Sequence, residues 1–239
     1  MTPTPDFDEQ LAAVSLSAEI GELRPDYRAL VVSADRLTAG PSNEASEALL
    51  ASAERGAAAR LAQTPLAEDP HLADWRGAFK AFGVKPQRFR PSFESLLRRV
   101  DQGLPRIDRL TDVYNAVSIG FAVPIGGEDL DCYKGPMRLV RATGDEEFDT
   151  VDGGESIIQH PLPGEVVWRD DAGVTCRCWN WRQCVRTRLT GDTTRAVFVL
   201  DALGSLSDER LAAAGEALKE GLALVSPEAR FHSRLIRAV

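Results

Sequence analysis

The chain changes texture at Gly120, and that change constrains its fold more than any other feature of the sequence. Before it, apolar residues recur at helical spacing. Ala45, Leu49, Ala53, Ala57 and Leu61 make a stripe opened by Pro41-Ser42-Asn43 and closed by Thr64-Pro65. A Pro-containing acidic loop over 65–71 leads to a second expected helix over 71–82. Phe93, Leu96, Leu97 and Val100 mark a third, with Ser92 placed to cap it. A fourth is expected over 107–120. Beyond Gly120, short apolar runs alternate with Gly and Asp turns at 136–142, 156–160, 166–170, 174–184 and 196–200, as in a sheet-rich half. One earlier strand, 27–33, a late helix, 207–221, and a basic amphipathic tail, 226–239, complete the reading. The expected class is α+β, with helices mainly early and strands mainly late.

No stretch of the 239 residues approaches the ~20 consecutive apolar positions of a membrane-spanning helix. Residues 1–9 lack the basic and apolar regions of a secretory signal, so the cytoplasm is the expected compartment. Cys132, Cys176, Cys178 and Cys184 are then expected as reduced thiols. Their spacing is not the usual pair of C-x2-C units of a zinc site, which favours cysteines of the core or of a sheet face. His71, His160 and His232 stand apart in sequence, and none is expected to hold a metal.

Charge is unevenly distributed. Against a net −8, residues 76–109 carry nine basic and three acidic side chains, and residues 177–195 carry five and one. Two basic islands on an acidic chain suit local contact with a polyanion. They suit equally well arginines paired with the abundant carboxylates.

Two segments suggest chemistry. Gly126-Gly127 followed by Glu128, Asp129 and Asp131 reads as a turn that lets a ligand approach the backbone and gathers carboxylates beside it. The spacing of a calcium loop is absent, so carboxylates that cap strands and hold arginines are favoured over a metal site. Residues 176–184 alternate with a period of two. Cys176, Cys178, Asn180, Arg182 and Cys184 are expected on one face, with Arg177, Trp179, Trp181 and Gln183 on the other. The indoles suit a core, while Asn180 and Arg182 suit a ligand with phosphate or carboxylate groups. Neither a G-x-S-x-G elbow nor a P-loop is present.

In order and spacing, several words resemble the B3/B4 editing domain of the bacterial phenylalanyl-tRNA synthetase β subunit, and more closely the freestanding B3/4 proteins. They are Arg24-Pro25-Asp26-Tyr27, Arg88-Phe89-Arg90-Pro91-Ser92-Phe93-Glu94-Ser95-Leu96-Leu97-Arg98-Arg99, Leu104-Pro105-Arg106-Ile107, Asp112-Val113-Tyr114-Asn115-Ala116-Val117-Ser118, residues 124–131, Trp179-Asn180-Trp181-Arg182 and Gly191-Asp192-Thr193-Thr194. The resemblance spans about residues 20–203, leaving 1–19 as an extension and 204–239 as a helix and tail packed on the domain. It implies a β-sandwich element in the C-terminal half and a pocket that hydrolyses mischarged aminoacyl-tRNA, with no cofactor or metal. Asn115 matches a pocket asparagine of the family and Thr194 a threonine. Gly126 stands where the synthetase form has a histidine.

On that resemblance Glu128 and Asp129 are expected to orient water. Asn115, Gly126, Gly127, Asn180, Trp181, Arg182 and Thr194 are expected at the substrate, with Asn115 on the α-amino group and Arg182 on the terminal phosphate or the carbonyl. Arg88, Arg90, Arg98, Arg99, Arg186 and Arg188 are expected to track tRNA phosphates. The expected partner is tRNA, with a synthetase as a second candidate, and neither membrane nor DNA is expected. The alternatives are a non-catalytic module that binds tRNA or an aromatic amino acid, and an interaction domain that docks on a synthetase.

Overall fold

The computed structural model describes residues 7–238, with side chains from Glu9 onward. Most of the N-terminal stretch discussed above lies outside the described residues, as does the last residue of the tail. The chain runs α1 (Phe7–Ala13), β1 (Ser15–Leu16), α2 (Ala18–Leu23), β2 (Arg28–Asp35), α3 (Glu44–Gln63), α4 (Pro70–Ala81), α5 (Ser92–Leu97), α6 (Arg109–Phe121) and β3 (Ile125–Asp129). It continues through β4 (Arg138–Arg141), β5 (Phe148–Asp152), β6 (Glu155–Gln159), β7 (Val166–Arg169), β8 (Val174–Arg177), β9 (Arg182–Gln183), β10 (Ala196–Ala202), α7 (Asp208–Val225) and β11 (Arg230–Arg237). The fold is α+β, with helices mainly before Gly120 and strands mainly after it.

Local chemistry sets the helix boundaries. Asn43 Oδ1 accepts from the Ser46 amide at 2.9 Å while Ser46 Oγ accepts from the Asn43 amide at 3.0 Å, a reciprocal box that starts α3. Asp69, Asp108 and Ser207 cap α4, α6 and α7 by accepting from first-turn backbone amides without the reciprocal bond, each cap typically contributing about 1 kcal/mol. The helix expected from Ser92 to Val100 is shorter than its apolar stripe, because α5 ends at Leu97 and the chain tightens to a 3-10 turn at Val100–Gln102. Ser92 does not cap it; Pro91 holds the cap position, and the Ser92 amide instead donates to the Asn180 carbonyl at 3.1 Å.

Two sheets carry the architecture, one ordered β1-β4-β7-β8-β9 and the other β11-β2-β10-β3, with β5 and β6 as a separate hairpin. Strand β10 lies between β2 and β3, antiparallel to both, and all seven of its residues are buried. Its side chains divide by parity, as the two-residue period of a strand requires. Val197 and Val199 join Ala29 and Val31 of β2 in an apolar cluster shared with Leu139, Val166, Trp168, Cys176 and Trp179 of the five-stranded sheet. Phe198 and Leu200 face the other way, onto Val113 and Val117 of α6 and Leu211, Leu218 and Leu222 of α7. The two sheets therefore share a core on one face of β10, and helices cover the opposite face.

Three local expectations change. Gly126-Gly127 is not a turn, since both residues lie inside β3 in register with Val199 and Phe198. A Cβ on Gly127 would come within 2.8 Å of the Phe198 ring and 3.1 Å of Tyr114. The close approach that glycine permits there is therefore by the protein's own aromatics. The tail forms β11, paired antiparallel with β2 along its whole length. The alternation expected across 176–184 breaks because Cys178 and Trp179 adopt left-handed φ values of 47° and 67°, folding the segment into a β8–β9 hairpin. Trp179, Asn180, Trp181 and Arg182 are thereby gathered at one bend instead of divided between two faces.

Candidate functional site

The bend of that hairpin, the N-terminus of α5, the middle of α6 and the shared-core face of β3 and β10 enclose a cavity of about 250 Å³. This is slightly below the roughly 300–1,000 Å³ of drug-sized pockets and suits a group the size of an amino acid. Tyr114, Trp168, Trp179 and Trp181 supply aromatic walls; Ser92, Asn115, Glu128, Asn180, Gln183 and Asp201 supply polar groups. A larger cavity of about 730 Å³ lies beneath α1, and Met137 borders both.

Carboxylates mark the two ends. Glu128 of β3 pairs in register with Val197, four positions from Asp201 along β10. At ~3.3 Å per residue the two acids stand roughly 13 Å apart along the sheet. Glu128 Oε2 accepts from Tyr133 Oη at 2.6 Å and Thr187 Oγ1 at 2.8 Å, while Oε1 takes Gln183 Nε2 at 3.4 Å. Burial raises the Glu128 pKa above the usual carboxylate value, and these donors offset part of that rise. Asp201 Oδ1 accepts from Tyr27 Oη at 2.6 Å and Oδ2 from Asn180 Nδ2 at 3.2 Å. Burial pushes Asp201 up to about 7, against the lowering effect of those two bonds.

Of the sequence-derived candidates, Asn115, Gly126, Glu128, Asn180, Trp181 and Arg182 line the cavity together. Asp129, Gly127 and Thr194 do not. Asp129 accepts from Thr193 Oγ1 at 2.6 Å and from the Asp131 amide at 2.9 Å, bracing the turn after β3. Gly127 faces the helices, and exposed Thr194 offers its carbonyl to the Leu37 amide. Asp201, Gln183 and Ser92 escaped the sequence reading. A lone acid inside the apolar run of residues 196–202 is the signal that identifies Asp201.

The basic islands are partly consumed by internal pairing. Arg76, Arg90 and Arg98 converge on the buried Glu94, Arg177 pairs with Glu165, and Arg186 grips Asp170 through both terminal nitrogens at 2.8 and 2.9 Å. Among the described residues Arg88, Arg99, Arg182 and Arg188 make no ion pair. Arg88 lies 5.3 Å from the centroid of the Phe89 ring, Phe89 meets Trp181 edge-on at 4.6 Å, and Arg182 lies 4.7 Å from Trp181. These four residues form a ladder of two adjoining rings with a cation at each end, and its last two members line the cavity.

The four cysteines are free thiols, and among the described residues no group of three or more metal-ligating side chains gathers. His71 is a satisfied core residue. It contacts the Ala122 carbonyl through Nδ1 at 3.0 Å and accepts from Trp75 Nε1 at 3.0 Å. Among the described residues no helix is long and apolar enough to cross a membrane.

The B3/4 domain model matches residues 74–213, more than half of the chain. The chain belongs to the B3/4 domain family. The match takes in α5, α6, β3, the β8–β9 hairpin and β10, the elements that enclose the cavity. No curated protein matches. Among solved structures, the chain is similar to an N-terminal fragment of the phenylalanyl-tRNA synthetase β-subunit from Pyrococcus horikoshii, at 14% identity and a TM-score of 0.44. That similarity covers 93% of this chain, which spans about half (53%) of the fragment.

Proposed function

We propose that this B3/4 protein binds the aminoacyl-adenosine end of an aminoacyl-tRNA and hydrolyses the ester, clearing an amino acid attached elsewhere by a synthetase. The observation that carries this reading is the Arg88–Phe89–Trp181–Arg182 ladder leading into an amino-acid-sized cavity. Single-stranded RNA is held by rings that stack on bases and by cations that meet phosphates, and the 3′ end of a tRNA is such a strand. Arg182 meets the terminal phosphate, while Arg88, Arg99 and Arg188 are the phosphate contacts left free by internal pairing. Free thiols are consistent with action in the cytoplasm.

The chemistry asks little of the protein. An aminoacyl ester is already activated, so orienting a water and polarising the carbonyl can suffice. Glu128 Oε1, with one long hydrogen bond, retains acceptor capacity for a water. A carboxylate whose pKa is raised by burial is also a better base than one in solvent. The Asn115 amide is available to the carbonyl. Asp129 braces the adjoining turn and takes no direct part.

The test is deacylation of a panel of radiolabelled aminoacyl-tRNAs, tyrosyl and phenylalanyl esters of the phenylalanine tRNA included. The expected result is release of one ester above its spontaneous rate, slowed at least about tenfold by Glu128→Gln. No release from any member of the panel would refute the catalytic reading. A binding module is the second reading, favoured by the hydrogen-bond donors already engaged by both cavity carboxylates. It requires salt-sensitive tRNA binding without turnover.

A further inference from the structure

Most buried polar groups in a folded chain find partners, so those that do not are informative. Asn180 Oδ1 and Ser92 Oγ are both buried without a hydrogen-bond partner, and both residues line the cavity, as do Trp168 and Trp179, whose Nε1 donors are likewise unpartnered. They are neighbours, because the Ser92 amide donates to the Asn180 carbonyl at 3.1 Å. Asn180 is also tied to Asp201, whose carboxylate receives its Nδ2 at 3.2 Å. That bond fixes the amide orientation, since the reverse would set two oxygens against each other. The Asn180 oxygen is therefore left facing away from its only side-chain partner.

The result is one end of the cavity where three acceptors gather: a carboxylate, an amide oxygen and a hydroxyl. The donors already present, Tyr27 Oη and Asn180 Nδ2, account for one bond on each Asp201 oxygen and leave lone pairs available. Among the described residues no Lys, Arg or His pairs with Asp201. Trp168 and Trp179 add ring surface to the same cavity. We propose that Asp201, Asn180 and Ser92 form a subsite for a primary ammonium group. An ammonium has three N–H donors for three acceptors, its charge answers that of Asp201, and indole rings attract cations. A metal ion suits the subsite less well, since one carboxylate and two neutral oxygens leave most of a hard cation's six to eight positions to water.

The inference rests on the proposed binding of an aminoacyl group and deepens it. It places the α-ammonium at the Asp201 end instead of at Asn115, so the ester carbonyl, two bonds from that nitrogen, lies between the two acids and water spans from it to Glu128, whose backbone is offset by four strand positions from that of Asp201. A ligand anchored there directs its remaining bulk toward the ladder and the Glu128 end.

The test compares aromatic amines with their neutral alcohol counterparts: phenethylamine with 2-phenylethanol, tyramine with tyrosol, and tryptamine with tryptophol. Binding is measured by calorimetry or NMR titration on the full chain at about pH 8, where the amines are charged. At least one amine is expected to bind on the order of tenfold or more tighter than its alcohol, the range of a charge-assisted hydrogen bond. Asp201→Asn is expected to abolish that preference while leaving alcohol affinity within about threefold. Asn180→Ala, read in the same way, guards against a folding defect in one variant. Equal binding of amines and alcohols, or a preference that survives both substitutions, would overturn the subsite and leave the cavity's role intact. Failure of every amine and every alcohol to bind would overturn both.

Discussion

Replacing Asp201 with asparagine should stabilise the protein above neutral pH, although it alters a buried, hydrogen-bonded side chain. The acid is 3% exposed and its pKa stands at about 7, against an ordinary 3.8. Folding therefore raises its proton affinity. Between about pH 4 and pH 7 the native state holds more protons than the unfolded chain, so stability falls as pH rises and then levels off. At roughly 1.4 kcal/mol per unit, the full penalty approaches about 4 kcal/mol at pH 8.5, with about 1–2 kcal/mol remaining at pH 5. Asparagine removes the charge and still accepts from Tyr27. Its new amide hydrogens let Asn180 turn its orphaned oxygen inward and regain a bond. Urea unfolding of both proteins at both pH values isolates this group, because other titrations cancel in the difference. The variant's advantage should be larger at pH 8.5 than at pH 5 by roughly 2–3 kcal/mol. An advantage independent of pH, or growing toward acid, would refute the assignment of a proton to Asp201.

Four further predictions concern packing and the ladder. Gly127→Ala should cost about 1–3 kcal/mol in chemical denaturation, because its methyl would press on the Phe198 and Tyr114 rings. Gly126→Ala should cost less, since it meets only the far end of the Gln183 side chain at 3.0 Å, which can shift at the expense of its bonds to the Gly127 carbonyl and Glu128. Trp181→Ala should weaken binding of a short single-stranded RNA by about 1–3 kcal/mol with an unchanged salt slope. Arg182→Ala should instead lower that slope by about one.

The sequence is most readable where structure is decided within a few residues. The boundaries of α3, α4, α6 and α7 follow from Asn43, Asp69, Asp108 and Ser207, whose side chains satisfy amides two or three positions along the chain. The strand is equally clear over 196–200, where a continuous apolar run requires burial on both faces, and the structure extends it to Ala202. What escaped depends on residues distant in sequence. Ser92 is a strong cap candidate by local rules, yet its amide is claimed by Asn180 far along the chain. The alternation of 176–184 is genuine in composition, but two left-handed residues with no glycine between them turn it into a hairpin. Nothing in a period of two announces such a bend. The acceptor-lined end of the cavity was invisible for the same reason, since Tyr27, Ser92, Asn180 and Asp201 meet only through tertiary pairing. The tail read only as a basic amphipathic stretch because its partner strand lies near the other end of the chain.

That last pairing bears on how the protein is made. Strand β2, whose approach carries Tyr27 to Asp201, is held between β10 and the C-terminal β11, and Arg28 aligns with Arg237. Partners roughly two hundred residues apart close a very long loop, the kind of contact that slows folding and forms late. On a ribosome the early helices can emerge and begin to pack while the sheet that floors the cavity is still incomplete. The β2 edge of that sheet thus stays open until β11 has emerged. A nascent chain stalled before residue 230 would present a half-built sheet with an unprotected edge, a state for chaperones to hold and a clear target for proteolysis.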